Sequence, residues 1–202
     1  MNTFSNLAGV LLLLLAAPAL AQTAPAPPLT ASALAVGTVA PAFKGQDAAG
    51  RPVELRQLLK KGPVVLYFYR GQWCPYCNKE LSQLQDSLQV LTAKGAQVVV
   101  VTPETPANIT QTVAKTKASF PIVHDRDLTI MKAYKTAFVV DDATAKKYLR
   151  YGINLKQANG LDQNILPVPA TYVIGQDGKI KFAYFDADYR HRASVRQVAQ
   201  AL

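Results

Sequence analysis

Two cysteines, Cys74 and Cys77, lie within Trp73-Cys74-Pro75-Tyr76-Cys77, and the 202-residue chain has no others. A bridge between them closes almost no loop, so it would contribute little as a structural staple. Their setting says more than their number. Val64 to Tyr69 (VVLYFY) before them is a continuous apolar run between Pro63 and Arg70, the pattern of a central strand covered on both faces. After them Leu81, Leu84, Leu88 and Leu91 recur at steps of three and four. That spacing predicts a helix over about residues 75–93 with one face on a sheet, stopped by Gly95. The pair therefore sits where a strand ends and a helix begins. Unpaired N–H groups and a partial positive charge at such a point favour a thiolate. The spacing lets the second sulfur resolve a mixed disulfide made by the first. Pro75 suits the first helical turn, and Trp73 shields one side of the site. Zinc sites also use this spacing, but structural zinc takes four Cys or His ligands. Only His124 and His191 remain to supply them, each isolated, so the motif reads as redox with no metal.

The rest of the chain places this motif in one domain. Residues 1–21 show a polar start, an apolar run from Leu7 to Leu15 and a small-residue end, Ala19-Leu20-Ala21. That is the layout of a secretory signal peptide cleaved after Ala21, although its first segment has no Lys or Arg. Residues 22–37 are Ala/Pro-rich without period and read as a flexible tether, leaving 38–202 as the folded domain. Cleavage would leave no stable membrane insertion and a periplasmic or secreted protein. The formal net charge is +9, but the Lys and Arg residues are scattered, as on a solvated surface. Export also argues against nucleic acid as a partner.

From Gly37 onward short apolar runs alternate with amphipathic stretches, as in an α/β domain. A hairpin is predicted over 43–53 with Gly50 in its turn, a brief helix over 54–61 and a buried strand over 98–101. Helices follow at 106–119 and 128–134, with an edge element at Ile122-Val123 between them. The 135–167 segment predicts a strand at 138–140, a helix near 143–151 and a turn at Asn159-Gly160. Strands at 170–174 and 180–184 flank Asp177-Gly178, and a helix closes the chain over 193–202. This order is that of a thioredoxin-like fold, a central mixed sheet flanked by helices. In that fold a cis-proline before the later hairpin lies against the CxxC pair. Val168–Pro169 is accordingly expected to be cis, with the Val168 backbone open to substrate.

The chain resembles the AhpC/TSA (peroxiredoxin-like) family of the thioredoxin superfamily, in its CxxC-bearing branch. The resemblance runs from about Pro41 to the C-terminus. It rests on Pro41-Ala42-Phe43, on Phe68-Tyr69-Arg70-Gly71-Gln72-Trp73-Cys74-Pro75-Tyr76-Cys77 and on Pro169-Ala170-Thr171-Tyr172-Val173-Ile174. Peroxidases of the family carry Pro-x-x-x-Thr-x-x-Cys, and here Arg70 stands for that proline, Cys74 for the threonine and Cys77 for the peroxide-attacking cysteine. Pro169 falls close to the usual later arginine. By thioredoxin logic Cys74 attacks and Cys77 resolves; by peroxiredoxin logic the roles reverse.

The resemblance implies an antioxidant thiol oxidoreductase with no cofactor beyond its own thiols. Cys74, Cys77 and Arg70 would be catalytic, the guanidinium lowering a thiol pKa and polarising an O–O bond. Trp73, Tyr76, Val168 and Pro169 would meet the substrate. One reading is a hydroperoxide reductase re-reduced by a thioredoxin-like dithiol. A second is a protein thiol–disulfide oxidoreductase that ignores peroxide. A third is a Cu(I)-binding module using the two thiols as soft ligands. His124 reads as a loop histidine rather than a proton shuttle, His191 as solvent-facing, and Asp186 and Asp188 as residues of a loop after the last strand.

Overall fold

The computed structural model describes Met1 and residues 30–202. Residues 2–29, which hold the segment read as a signal peptide and most of the one read as a tether, lie outside the described residues. In chain order the elements are β1 (Lys44–Gln46), β2 (Pro52–Glu54), α1 (Leu55–Leu59), β3 (Val64–Phe68), α2 (Pro75–Asp86) and α3 (Leu88–Thr92). Then come β4 (Gln97–Thr102), α4 (Pro106–Thr116), β5 (Ile122–His124), α5 (Thr129–Ala133), β6 (Ala137–Val139) and α6 (Asp142–Arg150). The chain finishes with α7 (Leu155–Asn159), β7 (Ile165–Pro167), β8 (Ala170–Ile174), β9 (Ile180–Phe185) and α8 (Val195–Gln200).

Five strands form a mixed sheet in the order β5-β4-β3-β8-β9. β3 runs parallel to β4 and antiparallel to β8, so the strand leading to Cys74 is the middle one. Its five residues are all buried because both faces are covered. Val64, Leu66 and Phe68 enter one core with Val99, Val101, Tyr134 and Tyr172. Val65, Tyr67 and Tyr69 enter the other, beside Cys74, Cys77, Leu81 and Leu84 of the α2 side. The cysteine pair is thus rooted in the second core. β8 and β9 form the expected hairpin, its turn made by Asp177 and by Gly178 at φ +75°.

Three local outcomes differ from the sequence reading. The single helix expected over 75–93 is two, α2 and α3, broken at Ser87 (φ −105°, ψ 9°). Its amide still reaches back to the carbonyls of Gln83 and Gln85, so the leucine stripe continues across the break. In the 135–167 segment, two elements not expected from the sequence appear: β7, which pairs antiparallel with β6, and α7, which ends at the expected Asn159-Gly160 turn with Gly160 at φ +65°. Finally, no peptide bond among the described residues is cis, so Val168–Pro169 is trans, against expectation. β7 lies just before Val168, and the Val168 amide donates to the Thr136 carbonyl at 2.8 Å. The chain therefore runs extended from the β6–β7 ladder into β8, held by its own neighbour.

Residues at the end of the presumed tether bond to the domain: Ser32 to Lys135, Leu34 to the Tyr172 hydroxyl and Gly37 to Ile180. No helix among the described residues is long and apolar enough to cross a membrane.

Candidate active site

Cys74 is the N-cap of α2, with extended backbone angles, and Pro75 occupies the first turn. The first turn carries no acidic side chain, so the positive end of the helix faces the sulfur unopposed. Cys74 Sγ accepts from the Cys77 backbone N–H at 3.4 Å, and the two sulfurs are 2.6 Å apart as free thiols. Both cysteines are almost fully buried, but only Cys74 lines an open cleft. Its thiol pKa falls to about 7. The Cys77 thiol hydrogen bond contributes most, burial opposes it, and Arg70, the Cys77 N–H and Arg192 add to the lowering. Cys77 goes the other way. Burial, and then the hydrogen bond and charge of Cys74, push its pKa well up. A thiolate on Cys74 backed by a protonated Cys77 is the favoured state near neutrality.

Arg70 is buried and held by aromatic rings. Its guanidinium carbon lies 4.0 Å from the Tyr189 ring centroid, 4.9 Å from Trp73 and 5.6 Å from Tyr148. It also donates to the Tyr148 hydroxyl. Trp73 and Tyr148 pack with centroids 5.3 Å apart, as do Tyr76 and Tyr189 at 5.8 Å. α6, which carries Tyr148, and the loop after β9, which carries Tyr189, thus wall the cleft above Cys74.

Behind the pair lies a second cluster that the sequence did not reveal. Arg192 pairs with Glu80 at 2.7 Å, and its Nη2 lies 3.7 Å from Cys77 Sγ. Glu80, one turn along α2 from Cys77, has its carboxyl pKa raised to about 7, by burial first, with the Arg192 charge working against the rise. Glu104 is a third buried carboxyl. It accepts from the Gln72 N–H at 2.8 Å and the Tyr69 hydroxyl at 3.1 Å, and burial raises its pKa to about 7. It clamps the loop that delivers Cys74. Gly71 is required there, since a Cβ would lie 2.8 Å from Glu104 Oε1. Asn78 closes the same loop from α2 by donating to the Gln72 carbonyl at 2.8 Å.

Of the residues singled out in the sequence, Arg70, Trp73, Cys74 and Tyr76 meet in the cleft, and Cys77 lies directly behind. Val168 and Pro169 are buried and do not line it. His124 lines a different depression with Lys44 and Arg126. His191 is exposed and pairs with Asp186 at 2.9 Å, while Asp188 pairs with Arg190. Among the described residues no group of three His, Cys, Asp or Glu is placed to hold a metal ion. Tyr148, Tyr189, Glu104 and Arg192 were missed because they are ordinary surface-type residues in sequence, brought in from distant elements, and Glu80 because it reads as a solvated helix position. A faint signal existed for Glu80 alone, three residues after Cys77 and so on the same side of the helix.

Residues 36–183 match the AhpC/TSA family across both the CxxC pair and the β8–β9 hairpin. The chain belongs to the AhpC/TSA family. It is 29% identical over 165 residues to a Mycobacterium tuberculosis protein named "Putative peroxiredoxin Rv2521", covering 81% of this chain and 94% of that one. It is also 29% identical over 151 residues to "Thiol-disulfide oxidoreductase ResA" of Geobacillus thermodenitrificans, covering 74% of this chain and 69% of the relative. Among solved structures, peroxidoxin BcpB from Mycobacterium tuberculosis superposes with a TM-score of 0.62 at 20% identity, over 82% of this chain and 92% of that chain. This AhpC/TSA-family chain thus has a thioredoxin-like fold and is a thiol-dependent oxidoreductase.

Proposed function

We propose that this AhpC/TSA-family protein is an exported hydroperoxide reductase in which Cys74 attacks and Cys77 resolves. The observation that carries this reading is the asymmetry of the pair. Cys74 ionises near neutrality on the wall of a cleft that also holds Arg70, while Cys77 stays protonated behind it. The Cys74 thiolate attacks the nearer peroxide oxygen, the O–O bond breaks, and the electron pair leaves with the alcohol or water fragment, which takes up a proton. Arg70 stabilises the negative charge as it moves. The sulfenic acid on Cys74 then condenses with the Cys77 thiol, forming the disulfide and releasing water. Glu80, beside Cys77 with a pKa near neutrality, is suited to accept the resolving proton. An external thioredoxin-like dithiol returns two electrons and two protons to the pair.

A second reading, a protein thiol–disulfide oxidoreductase, draws support from the helix-tip CxxC pair and the ResA relatives. The engaged Val168 amide weighs against it, since that backbone is not free to pair with a substrate strand. Export rests on the signal-peptide layout of residues 1–21. Stopped-flow mixing of reduced mature protein with peroxide decides between the two. Rapid loss of both thiols with one peroxide consumed supports the peroxidase. Oxidation no faster than that of free cysteine, alongside ready reduction of a protein disulfide, establishes the second reading instead. N-terminal sequencing of protein recovered from a periplasmic extract should begin at Gln22.

A further inference from the structure

Arg70 poses an electrostatic question that the peroxidase reading does not answer. It is 4% exposed, yet no carboxylate pairs with it among the described residues. Its neighbours are the rings of Trp73, Tyr148 and Tyr189 and the Tyr148 hydroxyl, all uncharged. Rings hold a guanidinium in place without cancelling its charge, and a buried charge is costly without an opposite one. When Cys74 is a thiolate, that sulfur supplies the missing anion. Once Cys74 is bonded to Cys77, the anion is gone and Arg70 is left unbalanced.

The cleft shows what could replace it. Its lining has two cations, Arg70 at the floor beside Cys74 and Lys147 from α6, and no Asp or Glu. The walls are Trp73, Tyr76, Tyr148, Tyr151, Ile153 and Tyr189, and Tyr151 is 71% exposed. The volume, about 490 Å³, far exceeds what hydrogen peroxide fills and is in the range that holds a small organic molecule.

We propose that the cleft over Cys74 is a binding site for an organic anion with an apolar body, its carboxylate or similar group held by Arg70 and Lys147, and that it binds more tightly to the disulfide form than to the dithiol form. The redox dependence rests on the Cys74–Cys77 cycle proposed above; the charge selectivity does not. By linkage, such an anion would in turn favour the disulfide over the dithiol.

Trp73, the only tryptophan in the chain, lies in the wall and reports occupancy without any peroxide chemistry. The probes are decanoate, kept below its micelle range, and methyl decanoate, kept below its solubility limit, titrated at pH 8 into disulfide and dithiol protein with Trp73 fluorescence as the readout. A saturable change with decanoate is expected, at least about tenfold weaker for the ester, as one charge-assisted contact predicts. Lys147→Ala should weaken decanoate several-fold and leave the ester unchanged. Dithiol protein should bind decanoate several-fold more weakly than disulfide protein. Equal affinity for acid and ester, or no saturable change with either, overturns the site. Equal affinity of the two redox forms overturns the linkage. Because no peroxide is present, a protein that binds decanoate yet fails to reduce peroxide would sink the peroxidase reading and leave this one standing.

Discussion

The two sides of the CxxC pair are built from different materials. On the Cys74 side an uncompensated arginine sits among aromatic rings in an open cleft. On the Cys77 side Arg192 is matched by Glu80, and the sulfur lines no part of the cleft. Both sulfurs have a guanidinium nearby, yet one thiol is acidified and the other is not. The difference teaches that burial and the direction of the shared hydrogen bond outweigh the mere presence of a cation. Cys74 receives hydrogen bonds from the Cys77 thiol and amide, whereas the Cys77 thiol spends its proton on Cys74.

The most severe way to break this comparison is to remove one sulfur at a time. Cys74→Ser should lower the first-turnover rate with peroxide by about 10³-fold or more, since no other group near the cleft is a comparable nucleophile. Cys77→Ser should keep a first turnover within about tenfold of the parent and stop there, with a sulfenic acid trapped by dimedone and seen by mass spectrometry. If instead Cys77→Ser were inert and Cys74→Ser reacted, the roles would be exchanged.

Next in size is Arg70→Met, which keeps the bulk between the rings but deletes the charge. A fall in first-turnover rate of about 10- to 100-fold is expected. The Cys74 pKa, followed by thiolate absorbance near 240 nm, should move upward. A rate loss with no pKa movement would confine Arg70 to polarising the peroxide.

A smaller effect comes from pH alone. The reacting form is the deprotonated one, so the first-turnover rate should climb with pH below about 7 and level off above it. Between pH 6 and pH 8 this amounts to about tenfold. A profile still rising steeply above pH 8 would place the nucleophile on a thiol of ordinary or raised pKa, that is, on Cys77.

The mildest change is Glu80→Gln, which sharpens the contrast from the other side. Attack by Cys74 should stay within about twofold, while disulfide closure after the sulfenic acid slows several-fold as the nearby proton acceptor is lost. Two-step quench kinetics separate these phases. Equal slowing of both would make Glu80 a structural brace for Arg192.

How much of this was legible in the sequence follows the same division. β3, the CxxC pair and α2 were readable because their signals are local: an apolar run, a fixed spacing and a stripe of leucines. Arg70, Trp73 and Tyr76 came with them by adjacency. The break at Ser87 was invisible, because the stripe runs on through it. β7 and α7 are three and five residues long, too short for either period to declare itself. The Val168–Pro169 geometry was misjudged because it depends on Thr136, more than thirty positions upstream, and on a ladder the sequence only half revealed. Tyr148, Tyr189 and Arg192 reach the site only through tertiary contact, and nothing in their local sequence marks them.

Arg192 reaches Cys77 from the loop that runs into α8, two residues before the Ser194–Gln197 capping box that starts that helix. α8 is only six residues long, so the arginine that pairs with Glu80 is anchored beside one of the shortest helices packed on this core. The charge balance around the buried sulfur of Cys77 is thereby set by a residue 115 positions further along the chain, so the C-terminal segment is part of the thiol site's electrostatics.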